Sequence, residues 1–219
     1  MVQLISEYIK RMHMALELPA MKEVPKLAAA MQLAWKNKKT IYLCGNGGSA
    51  GNANHLANDF LYGAGVKNGI GLRIDSLSAN PAVITCLAND FLYGAGVKNG
   101  IGLRIDSLSA NPAVITCLAN DIGYENIYSE QLRVKADAGD ILVVFSGSGN
   151  SANVVNALEM GNKLGMETFA VLGYSGGKCK DLAKHPIHFA IDDMQIAEDL
   201  QLIIFHMAMQ WLCEQGPAK

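Results

Sequence analysis

A chain of 219 residues, half of them apolar and 17% charged, is long enough for one well-buried domain and too short for two comfortable ones. Its net charge of −2 and pI near 6.2 leave no basic excess for nucleic acid and no polybasic stretch for a membrane surface. The five cysteines (Cys44, Cys86, Cys117, Cys179 and Cys213) are scattered, with no CxxC pair, and read as reduced thiols of a cytoplasmic protein. No charged, apolar and small-residue succession marks a leader, and the most apolar stretch, 200–213, is too short and too polar to span a bilayer.

In chain order, Leu4, Ile5, Ile9, Met12 and Leu16 recur at helical period and predict an amphipathic helix over 2–17, ended by Pro19. Val24, Leu27, Met31 and Trp35 predict a second over 22–36. The β-branched, apolar run 40–44 reads as a buried strand, followed by a glycine turn at 45–49 and a helical stretch through His55. Residues 71–75, and again 102–106, read as a strand. Asn80–Pro81 and Asn111–Pro112 each open a helix, with Asn as cap and Pro in the first turn. Further strands are predicted over 140–145, 168–172 and 186–191. A helix should run from the loop at 146–151 to about 164, and a terminal one over 194–213. Apolar strands alternating with helices imply an α/β fold, a three-layer αβα sandwich around a mostly parallel sheet with flavodoxin-like topology, in one domain spanning 1–219.

The repetition at 71 and 102 is part of a longer one. Residues 56–86 and 87–117 are identical, letter for letter, and 118–121 begin the unit a third time before diverging. Solenoid units drift and need three or more copies. A shorter parent explains the duplication by slippage: it carried the unit once, with LAND both at its start and immediately after its end. The junction at Cys86–Leu87 has no Gly or Pro until Gly94, so 80–93 can run as one chimeric helix. The surplus is either an extra helix plus strand or a looped-out segment.

Two strands end in Gly/Ser loops that open helices, the place where open α/β sheets bind ligands. In SGSGNS at 146–151 the glycines allow close backbone approach, while hydroxyls and free helix-start amides suit an anion. No Lys closes the loop, so it is not a nucleotide P-loop. The alternative is an ordinary turn that caps the next helix. GNGGS at 45–49 repeats the logic. The candidate substrate-binding residues are Asn46, Gly47, Ser49, Ser146, Ser148, Asn150 and Ser151. His55 and Asp59, four apart on a helix, suit a metal, an acid/base pair or a plain surface contact; Asp90, the copy of Asp59, follows Cys86 instead of a His. Glu198 and His206 lie on the apolar terminal helix, either partnered or on its solvated face, and are ~12 Å apart along its axis.

CGNGGSA at 44–50, His55 with an acid four later, NDIGYENIYS at 120–129, GDILVVFSGSGNSANVV at 139–155, GGK at 176–178 and the helix carrying His206 together resemble the phosphoheptose isomerase family of the sugar-isomerase (SIS) domain superfamily. The resemblance covers nearly the whole parent chain. It implies an aldose–ketose isomerase that converts sedoheptulose 7-phosphate to D-glycero-D-manno-heptose 7-phosphate through an enediol, toward bacterial surface heptose. It also implies a homotetramer, phosphate held by Ser49, Ser146, Ser148 and Ser151, and a zinc site onto which His55, Asp59, Glu198 and His206 match. Asp59 would be the base and His206 its acid/base partner. Two ligands depart from the family's pattern: Asp59 stands for Glu and Glu198 for Gln. Gly147 stands where many members have Thr. Other expectations are a non-catalytic SIS-domain regulator, or an isomerase inactivated by its duplication.

Overall fold

The computed structural model describes residues 1–65 and 104–215; of residues 58, 59 and 61–65 it describes the backbone alone. The apolar runs that predict buried strands form the centre of a parallel five-stranded sheet. Its strands are β1 (Thr40–Gly45), β2 (Arg104–Ser107), β3 (Ile141–Ser146), β4 (Glu167–Leu172) and β5 (His185–His188), in the order β2-β1-β3-β4-β5. This is the flavodoxin-like order expected from the sequence. The chain leaves β1 toward β2 on one side and returns to β3 on the other, so the strand order reverses between β1 and β3, and a crevice opens there. The register aligns Cys44 with Val144 and Gly45 with Phe145, so the loops after β1 and β3 emerge side by side.

Eight α-helices are described: α1 (Val2–Leu16), α2 (Val24–Lys36), α3 (Gly48–Gly65), α4 (Pro112–Ile122), α5 (Ser129–Lys135), α6 (Ala152–Lys163), α7 (Gly177–Leu182) and α8 (Met194–Gln215). Alternate strand residues point to opposite faces. Ile41, Leu43, Phe145 and Phe169 pack with Leu27, Met31 and Trp35 of α2, Leu56 and Phe60 of α3, and Phe205 and Leu212 of α8. Tyr42, Cys44, Leu142, Val144 and Ala170 pack on the other face with Leu132 of α5, Val154 and Leu158 of α6, and Cys179 of α7. The two clusters are the two covered faces of a three-layer sandwich, each fully buried large side chain contributing about 1.5–3 kcal/mol. At the opposite end of the strands, buried Asp140 accepts from the backbone N–H of Thr40 and Asp137, both at 2.9 Å, and ties the starts of β1 and β3.

Several boundaries differ from expectation. A 3-10 turn at Pro19–Glu23 takes the start of the second predicted helix, because Pro19 and Pro25 each break one. The last strand stops at His188, three residues short, although Phe189 N–H still bonds Leu172 O at 2.9 Å. The short helices α5 and α7 carry too few turns to show a period in sequence. The anticipated cap at Asn111 is present: its Oδ1 accepts from Ala113 and Val114 N–H.

The duplicated unit is used as a composite. Residues 56–65 of the first copy complete α3, whereas 104–117 of the second supply β2 and the first half of α4. Residues 66–103 connect them, a connection one whole unit longer than a single copy would supply. The expected strand at 71–75 and the chimeric helix over 80–93 lie outside the described residues.

A chain lacking one unit should therefore keep this sheet. Its far-UV circular dichroism should retain the helical signal and its unfolding should stay cooperative.

Candidate active site

The turn after β1 needs glycine twice. Gly47 has φ +54°, and a Cβ on Gly45 would stand 2.7 Å from Ser49 Cβ. The carbonyl of Gly45 is held from the other side by the buried Tyr128 hydroxyl at 2.5 Å and by Ser109 Oγ at 3.1 Å. Burial pushes the Tyr128 phenol well above its ordinary pKa, so it stays a neutral donor. Asn46, expected to touch substrate, is largely committed to the protein. Its Nδ2 donates to Asn153 Oδ1 and its Oδ1 accepts from Asn153 Nδ2, both at 2.8 Å, and Tyr124 and Tyr128 hydroxyls approach the same oxygen at 3.2 and 3.3 Å. The amide pair clamps the β1–α3 turn to the first turn of α6. One N–H of Asn46 and the exposed Tyr124 ring remain to face a ligand.

The loop after β3 is braced in the same way. Ser146 Oγ accepts from Gly149 N–H at 3.0 Å, and Ser148 Oγ accepts from Asn150 N–H at 3.3 Å. Gly149, at φ +70°, touches the carbonyl of Gly176 where any Cβ would stand, and Cys179 N–H bonds its carbonyl at 3.0 Å. Asn150 Oδ1 accepts from Lys178 N–H at 3.2 Å. The GGK segment is thus the outer wall of the loop. Ser151 is the N-cap of α6, yet its side chain makes no capping hydrogen bond. Ser146, Ser148, Ser151 and the first amides of α6 form one rim, and Gly47 and Ser49 at the start of α3 the other, an arrangement that favours an anion.

Gly147 has a physical explanation. A Cβ there would lie 2.5 Å from Met194 Sδ, so the first residue of α8 fills the space a Thr side chain would need. Spacing between distant segments gave no signal for this pairing.

The third side of the site is the contact between α3 and α8, which advances along both helices in the same direction. The Glu198 carboxylate lies against Gly48 at the start of α3. Asn52 Nδ2 donates to Glu198 O and Gln201 Oε1, both at 3.0 Å, and Gln201 Nε2 donates to Ser49 Oγ at 3.0 Å. Further along, the His55 and His206 rings meet edge to face with centroids 5.7 Å apart. Asp59 follows one turn beyond His55 on α3, its side chain outside the described residues. Sequence reasoning gave no role to Asn52, Gln201, Asn153, Tyr124, Tyr128 and Ser109, although Tyr124, Tyr128 and Asn153 lie inside motifs that carry the resemblance. Gln201 carried a further signal, an amide inside an apolar helix that must find partners when buried.

The histidine pair suits a shared zinc. Two imidazoles on one tetrahedral ion, with Zn–N of ~2.1 Å, place their ring centroids roughly 5–6 Å apart. Among the described residues no three His, Cys, Asp or Glu side chains converge on a metal position, and Glu198 is placed at Gly48 instead of beside the pair. Nucleophilic chemistry is disfavoured at three of the described thiols. Burial pushes Cys44 up strongly and Cys179 up to about 11, and a hydrogen bond to Asp121 raises exposed Cys117. No helix among the described residues is long and apolar enough to cross a membrane.

The SIS domain family matches the chain twice, over residues 6–104 and 98–173, and the two matches overlap inside the second repeat copy. The phosphoheptose isomerase of Crocosphaera subtropica is 30% identical over 185 residues, 84% of this chain and 76% of that protein. The solved phosphoheptose isomerases of Neisseria gonorrhoeae and Francisella tularensis superpose with TM-scores of 0.74 and 0.75. Each covers 97% of this chain and 98% of its own, at 22% and 21% identity, and they share its fold.

The two glycines of the β3–α6 loop should answer differently to substitution. Gly147→Thr should cost under about 1 kcal/mol, since the partly exposed Met194 thioether can swing aside. Gly149→Ala should cost more than about 2 kcal/mol, because backbone, not a flexible tip, blocks the Cβ and the φ is left-handed. Urea unfolding of the two variants measures the difference.

Proposed function

The chain belongs to the phosphoheptose isomerase family of SIS-domain proteins, and from that membership we propose that it converts sedoheptulose 7-phosphate to D-glycero-D-manno-heptose 7-phosphate in bacterial heptose biosynthesis. One observation carries the reading: Ser49 of one rim and His55 of the His55–His206 pair lie along the same helix, α3. Six residues separate Ser49 from His55, about 9 Å of helix axis, the reach of an extended sugar chain between its phosphate and its carbonyl end.

The 7-phosphate sits between the rims, held by Ser49, Ser146, Ser148 and Ser151 and by the amides that open α6. That fixes C1 and C2 near the far end of the α3–α8 contact. Asp59 takes the proton from C1, the C1–C2 bond becomes the double bond of an enediol, and the carbonyl oxygen at C2 gains a proton. His206 moves the hydroxyl proton between O1 and O2, and Asp59 returns its proton to C2, leaving an aldehyde at C1. His55 and His206, with Asp59 one turn beyond on α3, would hold zinc, whose contribution when bound is to polarise the two oxygens; Glu198, placed at Gly48, stands apart from the pair. The half-buried amide clamp Asn46–Asn153 keeps the two rims at fixed separation.

We also propose a homotetramer in the cytoplasm. Val2, Leu4, Ile5 and Ile9 of α1 are each at least half exposed, an apolar face that a second copy would cover. Cys44, Cys117 and Cys179 form no disulfide among the described residues, which fits a reducing compartment.

With zinc supplied, the full chain and a version lacking 87–117 should both turn over sedoheptulose 7-phosphate, because α3 keeps His55 and Asp59 in either. Asp59→Ala and His206→Ala should each lower kcat by about 100-fold or more. Full activity in Asp59→Ala would remove the assigned base, and inactivity of both unmutated chains would remove the substrate.

A further inference from the structure

Gln201 is 1% exposed and sits on α8 against the start of α3. Its amide orientation is settled by its neighbours. Asn52 Nδ2 donates to Oε1, so the NH2 group faces Ser49 and donates to its hydroxyl at 3.0 Å. Ser49, 4% exposed, thereby accepts a hydrogen bond and still has one proton to give. In a helix that proton commonly returns to the carbonyl four residues back. Here that carbonyl belongs to Gly45, which Tyr128 and Ser109 hydroxyls already engage at 2.5 and 3.1 Å.

We propose that Gln201 is a positioning residue that makes Ser49 a hydrogen-bond donor toward the phosphate of the substrate. By occupying a lone pair of Ser49 Oγ it turns the hydroxyl outward, and Asn52 fixes the amide that does so. The polarity matters because a phosphate dianion accepts hydrogen bonds and donates none. A hydroxyl locked with its oxygen outward would repel it. This inference rests on the reading of Ser49 as a phosphate ligand, and it concerns the buried Gln201 and the half-buried Asn52 behind that ligand.

The test is isothermal titration of the full chain with inorganic phosphate, beside KM and kcat for the sugar phosphate. Gln201→Glu keeps the shape and the bond from Asn52 but accepts the Ser49 proton, reversing the hydroxyl. It should weaken phosphate binding about ten-fold or more, the scale of a lost bond to a charged group, with KM rising far more than kcat falls. Gln201→Met, which adds no charge, should weaken it several-fold. Asn52→Ala, which frees the amide to turn, should do so to a smaller extent and keeps the question open to test if α8 tolerates neither change at Gln201. In a Ser49→Ala background the Gln201 substitutions should have almost no further effect.

Unchanged phosphate affinity in the Gln201 variants, with Ser49→Ala still weakening it, would overturn the inference and leave the phosphate site standing. A Gln201 effect of equal size with and without Ser49 would also overturn it, since the effect would then be charge or packing. Unchanged affinity in Ser49→Ala would remove the phosphate reading itself and the inference with it.

Discussion

The register between α3 and α8 is the constraint on which the site depends. Two kinds of contact fix it independently. Phe205 meets Phe60 of α3 and Phe145 of β3 edge to face, at centroid distances of 6.0 and 5.2 Å, while the Gln201 amide finds both its partners on α3. Sliding α8 by one residue would bury that amide without partners, at about 1–3 kcal/mol, and would also unseat the phenyl ring. The same register sets His206 beside His55 and Glu198 beside Gly48. Polar and apolar halves of one interface thus specify the positions of groups that neither half contains.

The site is assembled at the carboxyl ends of β1 and β3, where the sheet's strand order reverses. Asp140 ties these strands at their starts, and the Asn46–Asn153 amide pair ties the loops beyond their ends. Between those two clamps the backbone has little freedom, which is what a cradle for a fixed anion requires. The Glu198 carboxylate already supplies negative charge at the start of α3, which leaves the start of α6 for the anion.

Much of this was legible in the sequence because the relevant signals are local. The runs 40–44, 140–145 and 168–172 are apolar after their first residue and became the three central strands. The two Gly/Ser loops announced themselves by composition, and the parallel order followed from the alternation of strands and helices. The missing parts are pairings across distance. Asn46 read as a ligand-facing amide because its partner, Asn153, belongs to a different strand–helix unit. Gln201 read as a polar interruption because its partners lie on α3. Gly147 read as a lost hydroxyl because Met194, at the start of the last helix, was not yet its neighbour. In each case the residue type was informative, and the fold alone supplied the second half of the statement.

The composite use of the repeat has a consequence for how this gene will change. Within the repeat, every described element draws either on the leading third of the first copy or on the trailing half of the second. The trailing part of the first copy and the leading part of the second supply none of the described site residues. Selection on the site therefore falls on one member of each duplicated pair. As the letter-for-letter identity that now joins the copies decays, 56–65 and 104–117 should be held by the elements they build. Recombination between the copies, by contrast, restores the shorter chain in a single event without altering a residue of the cradle. Divergence and reversal thus compete, and perfect identity marks a duplication that neither has yet overtaken.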